Sequence, residues 1–204
     1  MQRIFHTPEG VRDIYSQECS RKQKLQEKLH RVFHQYGFED IETPTFEYFE
    51  VFSKEVGTIP SRELYKFFDR EGNTLVLRPD FTPSVSRACA TYFNPEKEVV
   101  SLCYTGNTFI NNSSFRGRLK ETTQMGVERM GDDSPEADAE ILAMTVECLL
   151  ATGLTEFQVS VGQVDYYKAI FAQTGMSQEE EEELRELISQ KNYFGVEELV
   201  KNKN

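Results

Sequence analysis

The sequence contains no tryptophan, no CxxC pair and no apolar run long enough to cross a membrane. Its four cysteines are widely scattered, at Cys19, Cys89, Cys103 and Cys148. This scatter argues against a disulfide framework and favours reduced, mainly buried thiols. The opening segment MQRIFHTPEG lacks the apolar core of a signal peptide. We therefore expect a cytoplasmic protein without a membrane span.

Basic residues are also fewer than acidic residues. The chain has 23 Lys and Arg against 34 Asp and Glu, a formal net charge of −11. Five consecutive glutamates at 179–183 contribute to this imbalance, and such a run is typical of a solvated helix start. Basic side chains cluster only locally, at 21–24 and 116–120. The balance argues against a nucleic-acid-binding face, which needs clustered Lys and Arg.

The composition is nevertheless that of a folded domain. Fifteen Phe and nine Tyr bring the aromatic content to 12%, and hydrophobic residues make up 38% of the 204 positions. A chain of this length can bury a sizeable core. We expect residues 1–204 to form one domain, with the acidic helical region 163–204 either part of it or a small appendage.

Turn and periodicity signals predict an α+β domain built around an antiparallel sheet. Thr82 is expected to cap one helix, with Pro83 in its first turn, and Ser134 with Pro135 to begin another that Gly153 ends. The predicted elements are a helix at 16–36, a strand at 38–46 broken by Pro44, a hairpin at 64–79, a helix from 82, strands near 99–110 and 120–128, a helix at 134–153, a strand at 157–162 and further helix beyond.

The most informative stretch is YTGNTFINNSSFRGRLKETTQMGVE, residues 104–128, which reads as two strands joined by a long polar loop. Strand side chains alternate between faces, so Gln124, Gly126 and Glu128 share one side with Lys120 and Thr122. Gly126 is expected to leave an open space for a small polar ligand. The same alternation is also typical of a sheet whose polar face is merely solvated.

No metal site is predicted. His6, His30 and His34 form no ligand pattern in the sequence. His30 and His34 are one helical turn apart, but no cysteine or acidic residue follows at the spacing of a familiar zinc motif. No cofactor is expected either.

Several segments together resemble the histidyl branch of the class II aminoacyl-tRNA synthetases. Pro8, Gly10 and Asp13 match its opening turn, and YGFEDIETPTFE resembles its first motif, with Pro44 as the motif proline. LYKFFDREGNTLVLRPDFTPSVSR resembles the histidyl substrate segment, residues 104–128 resemble the second motif, over which ATP lies, and SPEADAEILA resembles the helix that follows. The resemblance implies a class II synthetase-like antiparallel sheet flanked by helices.

Three positions distinguish the active ligases of this branch from its non-catalytic relatives. Where the ligase carries an arginine after the phenylalanine of its second motif, this chain has Ile110, and Asn112 replaces a glutamate near adenine. The ligase segment LRPEGT reads LRPDFT, residues 77–82. These departures resemble the regulatory subunits of ATP phosphoribosyltransferase and imply no catalytic residue. The alternatives are a divergent histidine–tRNA ligase fragment and a paralogue that binds another amino acid.

The resemblance also implies a histidine site. Asp80, Thr82, Gln124 and Glu128 fall where the family holds its amino acid, although Asp80 and Thr82 could equally serve only to begin a helix. Arg116 and Arg118 of the polar loop are the candidates to replace the cation missing at 110.

The implied partner is a short-form ATP phosphoribosyltransferase catalytic subunit, in a hetero-oligomer that contains a homodimer of this chain. Histidine is a possible ligand, and neither membrane nor nucleic acid is expected. The third class II motif and the histidine-specific Arg-Gly-Leu-Asp-Tyr-Tyr segment do not occur. We therefore expect an N-terminal fragment or a shortened form.

Overall fold

The computed structural model describes residues 5–53, 59–112 and 117–201. The chain divides into two compact units, Met1–Phe157 and Gln158–Asn204. Two three-stranded sheets with flanking helices build the first unit, and three helices build the second. The predicted α+β class is therefore confirmed. None of the helices in the described ranges is long and apolar enough to cross a membrane.

The elements follow the predicted order. In the first unit they are α1 (Ser16–Gln35), β1 (Glu39–Asp40), β2 (Phe46–Tyr48), α2 (Glu50–Ser53), a short 3-10 helix (Ser61–Glu63), β3 (Lys66–Phe68), β4 (Thr74–Leu77), α3 (Thr82–Tyr92), β5 (Val100–Phe109), β6 (Glu121–Met130) and α4 (Pro135–Thr152). The second unit consists of α5 (Val164–Thr174), α6 (Gln178–Ser189) and α7 (Tyr193–Lys201).

The first sheet has the order β1-β5-β6 and positions the site. β5 and β6 pair antiparallel over their full length, with Tyr104 opposite Gly126 and Gly106 opposite Gln124. β1 joins β5 in parallel, a departure from the purely antiparallel sheet expected from the sequence. The long connection from β1 to β5, which includes the second sheet and α3, permits this parallel pairing.

Helices bury both faces of this sheet. One face carries Val100, Leu102 and Tyr104, which form a core with residues of α3. The other carries Cys103, which lies in a second core with side chains of α1 and α4. Alternation along β5 thus sends neighbouring residues into two different cores.

Pro44 divides the predicted strand at 38–46, as expected. β1 lies before it and joins the first sheet, whereas β2 lies after it and joins the second sheet, of order β2-β4-β3. The predicted hairpin is present as β3 and β4. Its turn is fastened by Asp69, whose carboxylate accepts hydrogen bonds from the backbone N–H and the side-chain amide of Asn73, both at 2.8 Å.

The predicted strand at 157–162 is wrong. These residues have no β-pairing with any strand of the described chain, and Val159 and Val161 are exposed. An apolar alternation becomes a strand only when a neighbouring backbone supplies hydrogen bonds. The alternation can be read from these six residues alone, but a strand to pair with them would have to come from elsewhere in the chain.

The second unit buries Phe171 of α5 and Leu184 of α6. Ser177 begins α6 with a capping box, in which its hydroxyl accepts from the Glu180 N–H and the Glu180 carboxylate accepts from the Ser177 N–H. The acidic run at 179–183 therefore lies in the first turns of a helix, where the backbone dipole favours negative charge.

The N-terminus of α4 offers a test of the capping assignment. The Ser134 hydroxyl accepts a hydrogen bond from the Ala137 N–H at 3.2 Å. Ser134→Ala should lower the free energy of unfolding by about 1 kcal/mol, because it removes this cap. The matched control is Ser86→Ala on the exposed side of α3, which should change stability by less than about 0.5 kcal/mol. Equal effects in chemical denaturation would contradict the capping role.

Candidate functional site

The structure brings the four predicted binding residues together where α3 begins against the face of β6. The Gln124 amide Nε2 donates to Asp80 Oδ1 at 3.0 Å. The Thr82 hydroxyl donates to Glu128 Oε1 at 2.6 Å. Two pairs therefore link the LRPDFT segment to β6, across 44 and 46 positions of sequence. The result is a cradle of two carboxylates, one amide and one hydroxyl on a single sheet face.

Tyr104 belongs to this cradle and was not predicted from the sequence. Its hydroxyl lies 3.4 Å from Glu128 Oε1 and donates to it. Its ring stacks on Phe81, with centroids 4.3 Å apart and an interplanar angle of 8°. The sequence does contain an aromatic residue and a glycine that could face each other across two paired strands. Recognising that they do so requires the register between β5 and β6.

The open space expected at Gly126 is wrong. A Cβ added at position 126 would collide with the hydroxyl end of Tyr104, which crosses the strand pair at that point. Glycine is needed here for the close approach of an aromatic side chain, not to leave room for a ligand.

Arg78 is a second residue of the site that was not predicted from the sequence. Its side chain is buried, and its guanidinium donates to the carbonyls of Asn107 at 2.8 Å and Thr43 at 2.9 Å. It also lies over the Phe81 ring, 4.0 Å from the centroid. A Cβ at Gly106 would lie 2.6 Å from Arg78 Nη2, so glycine is required for this approach as well. Arg78 thus fixes the backbone that carries Asp80 and Thr82.

Thr82 does not cap α3 as predicted. The N-cap position is Phe81, and no side chain caps it. The Thr82 hydroxyl instead donates to Glu128, because that carboxylate lies within reach on β6. Asp80 Oδ1 accepts from the Phe81 N–H at the start of α3, at 2.8 Å, and from Gln124, whereas its contact with a ligand stays a prediction.

The electrostatics of the cradle favour a cationic ligand. Burial raises the pKa of Glu128, and repulsion from Asp80 adds to the rise, while hydrogen bonds from the Thr82 and Tyr104 hydroxyls oppose it. Burial and the same two carboxylates raise the pKa of Tyr104. Neither carboxylate forms an ion pair with a basic side chain in the described ranges. A ligand with N–H donors and positive charge would relieve this imbalance.

The other end of the strand pair is apolar at the critical position. Ile110 lies just beyond β5, and its N–H donates to the Lys120 carbonyl at 2.9 Å, which continues the ladder. Asn112 donates through its amide to the Leu119 carbonyl at 3.3 Å. Arg118 is exposed, and Arg116 lies outside the described residues.

The histidines of α1 have partners that the sequence spacing did not show. His30 Nε2 lies 2.5 Å and His34 Nε2 lies 3.0 Å from the two carboxylate oxygens of Asp40. The Cys103 thiol donates to the same carboxylate at 3.5 Å. Burial, together with this hydrogen bond, raises the pKa of Cys103 to about 12. The sequence spacing around the histidines shows no such partners, because β1 and β5 supply them from other parts of the chain.

Comparison with known proteins identifies the family of the chain. The family described as "Histidyl-tRNA synthetase" matches residues 10–204. Proteins named ATP phosphoribosyltransferase regulatory subunit are 43% identical over 200 residues in Acetivibrio thermocellus and 42% identical over 196 residues in Ruminiclostridium cellulolyticum. These matches cover 98% and 96% of this chain, and 48% and 47% of the two relatives. The chain therefore spans about half the length of the curated relatives it matches.

Solved structures agree with the sequence matches. A Bacillus halodurans protein described as an ATP phosphoribosyltransferase regulatory subunit/histidyl-tRNA synthetase is 32% identical with a TM-score of 0.90, over 99% of this chain and 52% of that one. Apo histidyl-tRNA synthetase from S. aureus is 27% identical with a TM-score of 0.59, over 74% of this chain and 35% of that one. The expected class II fold and the resemblance to regulatory subunits are both confirmed, and the chain belongs to the histidyl-tRNA synthetase family.

Proposed function

We propose that this chain is part of a non-catalytic regulatory subunit that supports ATP phosphoribosyltransferase, the first step of histidine biosynthesis, and that it binds histidine. The observation that carries the proposal is the polar cradle on β6 without a basic partner in the described ranges, beside an apolar residue at position 110. The amino-acid end of the strand pair is equipped for a ligand, while its phosphate end carries isoleucine where the ligases have a cation.

The hydrogen-bond donors of histidine match the acceptors of the cradle. Its ammonium and its imidazole N–H groups require acceptors, which Glu128 and Asp80 supply as carboxylates. The Gln124 amide carries both a donor and an acceptor and suits the polar ends of an amino acid. A cation between the carboxylates would also reduce the repulsion that raises the pKa of Glu128.

Adenylation chemistry is not expected at this site. A guanidinium about 4 Å from a phosphate oxygen contributes on the order of 4 kcal/mol at an effective dielectric constant near 20. Loss of one such contact commonly costs roughly 10²- to 10³-fold in rate. Ile110 instead places apolar atoms at this position, and the exposed Arg118 would lose more conformational entropy than a strand residue on binding phosphate.

The proposed partner is the short-form catalytic subunit of ATP phosphoribosyltransferase, bound in a hetero-oligomer that contains a homodimer of this chain. The second sheet exposes Phe46, Tyr48 and Phe67. Phe46 and Phe67 meet edge to face, 5.6 Å between centroids. Exposed aromatic clusters of this kind commonly mark protein interfaces. The four free cysteines agree with a reducing, cytoplasmic location.

Reconstitution provides the direct test of the regulatory role. The polypeptide that carries this chain, mixed with the short-form catalytic subunit, should co-elute with it and raise its phosphoribosyltransferase activity. The control is the catalytic subunit mixed with an active histidyl-tRNA synthetase, which should do neither. Absence of both co-elution and activation would refute the assignment.

Glu128→Gln should weaken histidine binding roughly ten- to a hundredfold, because a neutral amide loses a charge-assisted hydrogen bond of about 1.5–3 kcal/mol. Calorimetric titration with histidine and with several other amino acids measures the effect and the selectivity. The matched control is Glu121→Gln on the opposite face of β6, which should leave histidine affinity unchanged.

The same variant can be checked for folding through its pH dependence. Burial raises the pKa of Glu128, so ionising this group costs stability as the pH rises through its folded-state pKa. Glu128→Gln should therefore raise the thermal midpoint at neutral pH, and the gain should vanish below about pH 4, where the carboxyl is protonated in both states. A well-folded variant with unchanged histidine affinity would show that the polar face is only a solvated sheet.

Ile110→Arg should leave histidine affinity intact and should not by itself create histidine-dependent ATP–pyrophosphate exchange, because Asn112 also differs from the ligase pattern. Titration and the exchange assay on wild type and variant check both statements. Clear exchange by the wild-type protein would instead support a divergent histidine–tRNA ligase.

A further inference from the structure

Four potential metal ligands converge at the end of α1, outside the histidine cradle. His30 and His34 extend from successive turns of the helix, Asp40 lies on β1 and Cys103 on β5. One ligand atom from each residue lies within 4.8 Å of the other three. The two imidazole Nε2 atoms meet the two oxygens of the Asp40 carboxylate, so these three side chains are already oriented toward one point.

From this geometry we propose a zinc site formed by His30, His34, Asp40 and Cys103. Tetrahedral zinc with bonds of about 2.0–2.3 Å separates its ligand atoms by about 3.3–3.8 Å. The longest separation in the cluster, at most 4.8 Å, would shorten by about 1 Å to reach that range, whereas the hydrogen-bonded His30–Asp40 pair, now at 2.5 Å, would lengthen. Two imidazoles, one carboxylate and one thiolate form a ligand set that suits this borderline ion.

The surroundings favour a cation and allow it to enter. His34 lies in the last turn of α1, at the negative end of the helix dipole. The side chains of His30, His34 and Asp40 are 36%, 45% and 56% exposed, whereas Cys103 is buried beneath them. An ion would therefore meet three exposed ligands first and the sulfur last.

The competing arrangement is a metal-free network in which both imidazoles donate to Asp40. In the zinc-bound form each imidazole would carry its proton on Nδ1 and bind zinc through the Nε2 lone pair, so a neutral ring would change tautomer and a protonated ring would release one proton to solvent; the Asp40 carboxylate would bind through an oxygen. The Cys103 proton would leave to solvent, since the thiolate is the ligand. In either arrangement the cluster joins the end of α1 to β1 and β5, but only the metal makes fold stability depend on added ion.

The site is separate from the histidine cradle. Cys103 and Tyr104 are neighbours on β5, and alternation directs them to opposite faces of the sheet. Cys103 lies in the core with α1 and α4, and Tyr104 in the core with α3. A metal bound to Cys103 would lie on the α1 side of the sheet and would not contact the residues of the cradle.

Metal binding to the polypeptide that carries this chain tests the proposal. After chelator treatment, calorimetry should show one zinc ion bound per chain, with a higher thermal midpoint in the loaded form. Cobalt substitution should give tetrahedral visible bands and a thiolate-to-cobalt charge-transfer band. His34→Ala should lower zinc affinity at least roughly 100-fold, since even outer-shell partners contribute about 10- to 100-fold.

Cys103→Ser and Cys103→Ala should each remove the charge-transfer band, and using both variants guards against a folding defect in either one. His6→Ala and Cys148→Ser are the matched controls and should leave affinity and spectrum unchanged, because both residues lie outside the cluster. No zinc binding, zinc affinity unaffected by His34→Ala, or a cobalt spectrum without the thiolate band would each overturn the four-ligand site.

Discussion

One buried guanidinium holds the ligand face together. Arg78 donates to backbone carbonyls of Thr43 and Asn107, which belong to separate segments, and lies against the Phe81 ring. Burial lowers the pKa of this group, which reflects the cost of removing its charge from water. The hydrogen bonds of the planar guanidinium offset this desolvation cost, and they fix the backbone near Asp80 in one arrangement. The cradle therefore depends on a cation that does not itself face the proposed ligand.

The cradle also carries an electrostatic cost. Glu128 accepts from Thr82 and Tyr104, but these neutral donors do not compensate fully for burial or for the nearby Asp80. Binding sites commonly retain such local destabilisation because the same groups must interact with a charged ligand. A substitution at Glu128 that raises the stability of the fold should therefore lower the affinity for a cationic ligand.

The features that depend only on neighbouring residues in the sequence were predicted correctly. Periodicity and caps located α1 and α4, and strand alternation alone placed Gln124 and Glu128 on one face. Tyr104 escaped prediction, and the role of Gly126 was mistaken, because the register between β5 and β6 decides which side chain crosses which glycine. Arg78 escaped prediction because its partners, Thr43 and Asn107, lie in distant segments of the sequence. The strand predicted at 157–162 and the partners of the α1 histidines failed for the same reason. Both depend on contacts that the local sequence pattern does not encode.

The proposed separation of amino-acid binding from adenylation requires the two ends of the strand pair to be electrostatically independent. Ile110 pairs with Lys120, which precedes Glu128 by eight positions, or about 26 Å of strand at roughly 3.3 Å per residue. Two unit charges at that distance interact by only about 0.6 kcal/mol at an effective dielectric constant near 20, before any screening by salt. A cation at 110 would therefore contribute little to the field at Glu128. The apolar side chain at 110 and the carboxylate cradle at Glu128 are therefore independent features of the strand pair, as the proposed function requires.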